Sequence, residues 1–126
     1  APNVAVLASN FDWFLAQCSI GTDGILSGLA SLAPGILIDL WRATDKSDLN
    51  AMRSISDRLY PLVRGIYGTP PRMDMHTRIK EALVAIGVID CARPRPPLLS
   101  VSREVTDDIQ AALIKVDFLR SEKDQA

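Results

Sequence analysis

The chain has 126 residues, of which 48% are hydrophobic and 23% charged; this is the composition of a globular domain and argues against disorder. The formal net charge is −1, and the basic residues are spread among the acidic ones, which argues against a nucleic-acid partner. No apolar run approaches the ~20 residues that span a bilayer, and the N-terminus lacks the basic start of a signal peptide, so we expect a cytoplasmic protein without a membrane partner.

The first third of the sequence alternates between strand and helix patterns. Val4–Ala8 is a short apolar run typical of a strand buried on both faces. Gly24–Gly28 predicts a second strand, and Pro34–Thr44 predicts a helix with proline at its first position. Between the strands, a helix is predicted from Ser9 or Asn10 as N-cap, Phe11, Phe14, Leu15 and Cys18 as its apolar residues and Gly21 as its end. The order β-α-β-α is typical of parallel sheets.

From residue 47 onward the pattern is helical. Ser47 is predicted to cap the first of three amphipathic helices, Pro61 to kink it and Gly87 to end the second. The apolar residues repeat every three or four positions: Leu49, Met52, Ile55, Leu59, Leu62 and Ile66, then Met75, Ile79, Leu83 and Ile86, and finally Val105, Ile109, Leu113 and Val116. The sequence therefore predicts two regions, 1–46 and 47–126, and a predominantly helical chain.

The chain offers few residues for metal or thiol chemistry. Cys18 and Cys91 stand beside apolar residues, which favours buried, inert thiols over catalytic ones. His76 is the single histidine and has no partner at metal-binding spacing. We predict no metal site and no cofactor.

A two-stranded parallel sheet would leave backbone groups unpaired on both outer edges. The sequence therefore predicts the end of a longer α/β chain. The common fold that ends in this way is the (β/α)₈ barrel, in which reacting groups lie at the C-terminal ends of the strands. We expect the last two βα units of such a barrel, followed by an appendix of three helices.

Five segments together resemble the C-terminal part of the dihydrodipicolinate synthase and N-acetylneuraminate lyase family of pyruvate-dependent class I aldolases. GTDGILSGLASLAP at 21–34 is similar to the eighth-strand segment of that family, and DLNAMRSISDRLYPL at 48–62 to the helix after the barrel. RIKEALVAIGVID at 78–90 and RPPLLSVS at 95–102 resemble the next helix and its link, and an amphipathic helix closes both chains. The resemblance covers nearly the whole chain but only about two fifths of a usual barrel enzyme of this kind.

The resemblance implies a lyase or synthase that forms a Schiff base with pyruvate or a similar small keto acid. It also implies that the N-terminal part of the same barrel is a partner and that the protein is a homo-oligomer. The family's Schiff-base lysine lies at the end of strand six, a position that this sequence does not contain. The lysines present fall on predicted helices or linkers: Lys46, Lys80, Lys115 and Lys123. We therefore predict no catalytic residue in this chain and no activity from it alone.

Two segments are expected to contact substrate in the intact protein. The resemblance places Ser9 at the end of strand seven, and Leu26 and Ser27 at the end of strand eight, near the methyl group of the bound pyruvyl. Ser9 stands where many relatives have glycine, and Ser31 stands in place of the usual asparagine. The hydroxyl of Ser9 is equally suited to capping the following helix.

Two other functions stay open at this point. One is a non-catalytic module whose helices mediate oligomerisation. The other is a phosphate site in the loop after the second strand, because barrel loops in this position often bind phosphate. The phosphate site ranks last, since the loop SGLASLAP has one glycine, no nearby lysine and a proline without an N–H.

Overall fold

The computed structural model describes residues 4–9 and 14–119. Within these ranges the predicted order of strands and helices is confirmed, and helix dominates. The elements are β1 (Leu7–Ala8), α1 (Phe14–Ser19), β2 (Gly24–Ile25), α2 (Pro34–Asp45), α3 (Leu49–Tyr67), α4 (Met75–Ala85) and α5 (Arg103–Lys115). Short 3₁₀ segments cover Gly28–Ser31 and Arg72–Asp74. Asn10 and Phe11, predicted at the start of the first helix, lie outside the described residues.

The chain divides into two compact units, with the boundary between Leu59 and Tyr60, inside α3. The first unit contains both strands, and the second contains α4 and α5. The division predicted at residue 46 stays a prediction. Pro61 lies within α3, and the helix continues through it to Tyr67. In the described part of the chain, no helix combines the length and the hydropathy needed to cross a bilayer.

The two strands are parallel and pair in the register Leu7 with Gly24 and Ala8 with Ile25. Both are shorter than predicted, and the hydrogen bonds explain why. At the start of the ladder, Val6 donates its N–H to the Asp23 carboxylate over 2.7 Å, while Asp23 donates its own N–H to the Val6 carbonyl over 2.8 Å. The aspartate side chain thus replaces the next backbone partner of β1.

The first unit packs its helices against one face of the sheet. Ala8 is buried on that face, beside the buried Phe14 and Cys18 of α1. Helix α2 contributes a stripe of buried residues at helical spacing: Ile36, Leu37, Leu40 and Ala43. The predicted stripe of α3 is correct at Met52 and Leu59, which are buried, and wrong at Leu49, the first residue of the helix, which is exposed.

The turn between α2 and α3 differs from the prediction. Ser47 does not cap α3; the Asp48 carboxylate does, by accepting the Ala51 N–H over 3.0 Å. Ser47 instead ends α2, with a φ of 54°, and its N–H bonds the Thr44 carbonyl while the Asp48 N–H reaches Ala43. This pair of bonds is a Schellman motif, whose left-handed position favours glycine.

Replacing Ser47 by glycine is expected to raise the free energy of unfolding by roughly 0.5–1 kcal/mol, because glycine adopts a positive φ without the steric cost that serine carries. The opposite substitution, glycine to serine at Gly87, is the control. Gly87 ends α4 in the same motif with a φ of 74°, and a Cβ there would meet no atom within 4 Å. Gly87→Ser should therefore lower stability by a similar amount in urea unfolding, and two changes of equal sign would contradict this account.

In the second unit, α4 and α5 pack along their predicted apolar stripes. Ile79 and Leu83 of α4 and Ile109 and Leu113 of α5 are all buried, as the periodicity predicts. Ser102 caps α5 by accepting the Val105 N–H over 3.4 Å. This core explains the three-residue and four-residue spacing read from the sequence.

Among the residues of the second unit that the structure describes, the most deeply buried charged residue is Arg78 of α4, which is 1% exposed. One terminal nitrogen, Nη1, donates to the carbonyls of Ile66 at 3.1 Å and Thr69 at 2.6 Å. The other, Nη2, lies 3.4 Å from the Pro70 carbonyl. Ile66 belongs to the last turn of α3, where carbonyls have no helical donor, so Arg78 satisfies the end of that helix.

Candidate functional site

The predicted substrate-contacting residues lie where the two parallel strands end. Ser9 follows β1 directly, and Leu26 and Ser27 follow β2. The Leu26 N–H donates to the Ala8 carbonyl over 2.9 Å, so the ladder continues to the last residue before Ser9. Because the strands are parallel and in register, the structure brings all three residues to the same edge of the sheet.

Alternation along the strands places Leu7, Ser9, Gly24 and Leu26 on one face of the sheet. A Cβ built on Gly24 would lie 3.1 Å from Cδ2 of Leu7, which confirms that these positions share a face. Ala8 is buried on the opposite face, against the helices. On the Leu7 face the side chains are open, and Leu26 is 66% exposed. Ser9 and Leu26 are thus free to contact a molecule bound at the end of the strands.

Ser27 has a structural task in addition to its predicted one. Its hydroxyl accepts the Leu29 N–H over 3.1 Å and caps the 3₁₀ segment that follows β2. Ser31, at the other end of this segment, donates its hydroxyl to the Gly28 carbonyl over 2.7 Å. This segment is an addition to the predicted elements, although a serine before a glycine is typical of such turns. Both hydroxyls therefore hold the loop.

The backbone of Ser9 is held by a residue that sequence reasoning missed. The Ser9 N–H donates to Oε1 of Gln17, on α1, over 3.1 Å. Gln17 is a polar residue between the apolar positions of that helix. The sequence contains no other sign that it contacts the end of β1. Whether the Ser9 hydroxyl caps the helix is a question that falls on residues outside the described ranges.

In the sequence, none of the lysines that the structure describes follows a strand directly. Lys46 follows the last residue of α2, and Lys115 is the last residue of α5. The ammonium group of Lys80, on α4, donates a hydrogen bond to the Arg93 carbonyl over 3.0 Å and so attaches the following loop to the helix. Lys123 lies outside the described residues. Tyr60 and Tyr67 both lie on α3, and burial raises the pKa of the Tyr67 hydroxyl above its usual value.

The two cysteines differ in environment. Cys18 is buried, as predicted, and its burial raises the pKa of the thiol, an effect that the neighbouring Thr44 side chain opposes. It lines a cavity of about 530 Å³ beside the loop that precedes β2. The prediction that Cys91 is buried is wrong, because it lies in the exposed loop after α4. Within residues 4–9 and 14–119, no three histidine, cysteine or carboxylate side chains converge into a metal site.

A model of the dihydrodipicolinate synthetase family matches residues 1–116 of the chain. The chain belongs to this family. The resemblance read from its sequence is confirmed, and it extends over both compact units.

Relatives and solved structures agree with this assignment. The 4-hydroxy-tetrahydrodipicolinate synthase of Archaeoglobus fulgidus is 27% identical over 120 residues, which are 94% of this chain and 39% of that enzyme. The crystal structure of dihydrodipicolinate synthase from Aquifex aeolicus superposes with a TM-score of 0.82 at 21% identity, over 96% of this chain and 40% of that one.

A chloride-inhibited dihydrodipicolinate synthase from Acinetobacter baumannii, complexed with pyruvate, superposes with a TM-score of 0.79 at 19% identity. The match covers 92% of this chain and 38% of that structure. The chain therefore has the fold of the corresponding part of these enzymes, and it spans about two fifths of the length of the relatives that it matches.

Proposed function

We propose that the chain is the C-terminal part of a pyruvate Schiff-base lyase or synthase, that it supplies one side of the substrate site and that it is not catalytic by itself. The observation that carries the proposal is the position of Ser9 and Leu26, side by side at the carboxyl ends of adjacent parallel strands and on the face that the helices leave open. In (β/α)₈ enzymes, substrates bind at this end of the strands.

The remainder of the barrel is the partner that the sheet requires. Each strand has one neighbour in the described part of the chain, so the backbone groups of its other edge face outward. Val4, Val6, Leu7 and Leu26 also expose large apolar surfaces along the strands and just beyond them. Unpaired edges and exposed apolar side chains are both stabilised when further strands complete the sheet. We propose that the N-terminal part of the same barrel provides these strands.

The proposed reaction is based on the chemistry of the relatives. The Acinetobacter baumannii synthase has been solved with pyruvate, and we propose a pyruvate-like keto acid as substrate here. A lysine amine from the N-terminal part would add to the keto carbon, with loss of water, and the protonated imine would then act as the electron sink. Ser9 and the Leu26 backbone would border the pyruvyl group, and Ser27 would hold the loop beneath it.

The test is a pair of substitutions at Ser9 in the full-length protein. Ser9→Leu is expected to raise KM for pyruvate about tenfold or more, which corresponds to ~1.4 kcal/mol of lost binding, because the added side chain enters the open end of the strands. Ser9→Gly removes the side chain without adding bulk and should leave KM near that of the unaltered protein.

The stability of the Ser9 variants provides the control. A Ser9→Leu protein that melts at the same temperature as the unaltered protein is correctly folded, so a change in its KM then reports on substrate binding. Unaltered KM in a well-folded Ser9→Leu protein would show that Ser9 does not border the substrate. Absence of any pyruvate-dependent turnover in the unaltered full-length protein would remove the proposed function itself and favour the oligomerisation module, which ranks above the phosphate site among the alternatives.

A further inference from the structure

A groove of about 420 Å³ runs along the second unit, between the C-terminal part of α3 and helix α5. Its lining includes small residues: Gly65 on α3, and Ala111 and Ala112 on α5. Longer side chains border it, among them Tyr60 and Arg64 from α3 and Lys115 from α5. The volume lies within the range of small-molecule sites.

The groove exists because the two helices approach closely at residues without bulk. A Cβ placed on Gly65 would lie 3.0 Å from the Cβ of Ala112, so a larger residue at position 65 would push the helices apart. The close approach of the helices therefore depends on small residues, while the charge along the groove comes from the longer side chains of its lining.

The charges that border the groove are predominantly positive. Arg64 lies in the last turn of α3 and Lys115 in the last turn of α5, and both are exposed. Among the described residues, no carboxylate lies within ion-pairing distance of either cation. Asp108 is the single acid in the lining, which leaves an excess of one positive charge. Each cation is favourable at its own helix end, but the helix dipole does not explain why both border one concave site.

We propose that this groove binds the anionic head of a small metabolite, a phosphate or carboxylate group, between the Arg64 guanidinium and the Lys115 ammonium. Both groups donate charge-assisted hydrogen bonds, and a guanidinium matches two oxygens of such a group at once. The hydroxyls of Tyr60 and Thr69, which also line the groove, provide further donors. The site contains none of Ser9, Leu26 and Ser27 and is independent of the proposed pyruvate site.

The experiment is a calorimetric titration of the full-length protein, at constant ionic strength, with inorganic phosphate and separately with succinate. Arg64→Gln and Lys115→Gln should each weaken binding about tenfold, the usual effect of losing one hydrogen bond to a charged group. Asp108→Asn should strengthen it, because the substitution removes the one negative charge of the lining. A variant that is merely misfolded cannot bind more tightly, so the opposite sign of this third change separates charge from stability.

The two titrants distinguish the kind of head group, since saturable binding of one alone identifies phosphate or carboxylate as the ligand chemistry. Repeating the titration with pyruvate present should leave the dissociation constant unchanged, because pyruvate is proposed to bind at the strand ends. Equal affinities in all four proteins, or heats that do not saturate with either titrant, would overturn the proposal.

Discussion

Borohydride reduction in the presence of pyruvate is expected to attach a pyruvyl group to the full-length protein at a lysine outside these 126 residues. Lys46, Lys80, Lys115 and Lys123 should remain unmodified, and the chain prepared alone should gain no pyruvyl mass. A Schiff-base lysine must be desolvated so that its amine is neutral enough to attack a carbonyl. Lys46 and Lys115 are exposed at helix ends, and the Lys80 ammonium is engaged by the Arg93 carbonyl.

Intact mass measurement followed by peptide mapping locates the adduct. Reduction without pyruvate is the blank, and pyruvate without borohydride shows whether the imine is reversible. An adduct on the peptide that contains Lys80 would be the most informative contrary result, because it would place the reacting amine on α4 rather than at a strand end. An unmodified full-length protein would contradict Schiff-base chemistry altogether.

The architecture was predictable because it rests on local patterns. Helix periodicity, glycine stops such as Gly87 and the proline at position 34 all act over a few residues. The structure confirms the glycine stop and the proline, and it confirms the periodicity at most positions but not at Leu49. The ends of the strands were not predictable in the same way. Where β1 and β2 begin depends on Asp23, whose side chain accepts a hydrogen bond from the Val6 N–H, 17 residues away along the chain. Such a partner is chosen by tertiary structure and leaves no local signal.

The candidate site shows the same limit. The resemblance supplied Ser9, Leu26 and Ser27, and parallel pairing placed them at one edge. The sequence did not distinguish the exposed Leu26 side chain from the Ser27 hydroxyl that caps the next segment, because alternation around a strand end depends on register. Gln17 was missed for a related reason, since its role is a contact between helix and strand.

Arg78 illustrates a different failure, in which a charged residue on a predicted amphipathic helix turns out to be buried. Sequence periodicity assigns arginine to the solvent face, because a charge is costly to bury without partners. Here the partners are backbone carbonyls at the end of α3 and in the turn after it, together with the partial negative charge of the helix end. Every residue has a backbone carbonyl, so the sequence does not show which carbonyls will accept hydrogen bonds from Arg78.

Replacing Arg78 by methionine is therefore expected to lower the free energy of unfolding by roughly 2–4 kcal/mol. Methionine fills much of the same space, but it leaves the buried Ile66 carbonyl without its donor and removes one donor from the part-buried Thr69 carbonyl. An unsatisfied buried group costs ~1–3 kcal/mol, and a partly exposed one costs less because water can replace the donor. Relief from burying a charge offsets part of that loss. The measurement is the midpoint of urea unfolding, with the slope m compared to confirm that the same surface becomes exposed.

Two further substitutions decide whether the carbonyl contacts are the cause. Arg93→Met makes the same chemical change at an exposed position and should shift stability by less than ~0.5 kcal/mol. Arg78→Lys keeps the charge but loses the planar fork that reaches several carbonyls, so it should recover only part of the loss. If lysine restored full stability, the burial of a positive charge near the end of α3 would be sufficient, and the directed hydrogen bonds would not be the stabilising feature.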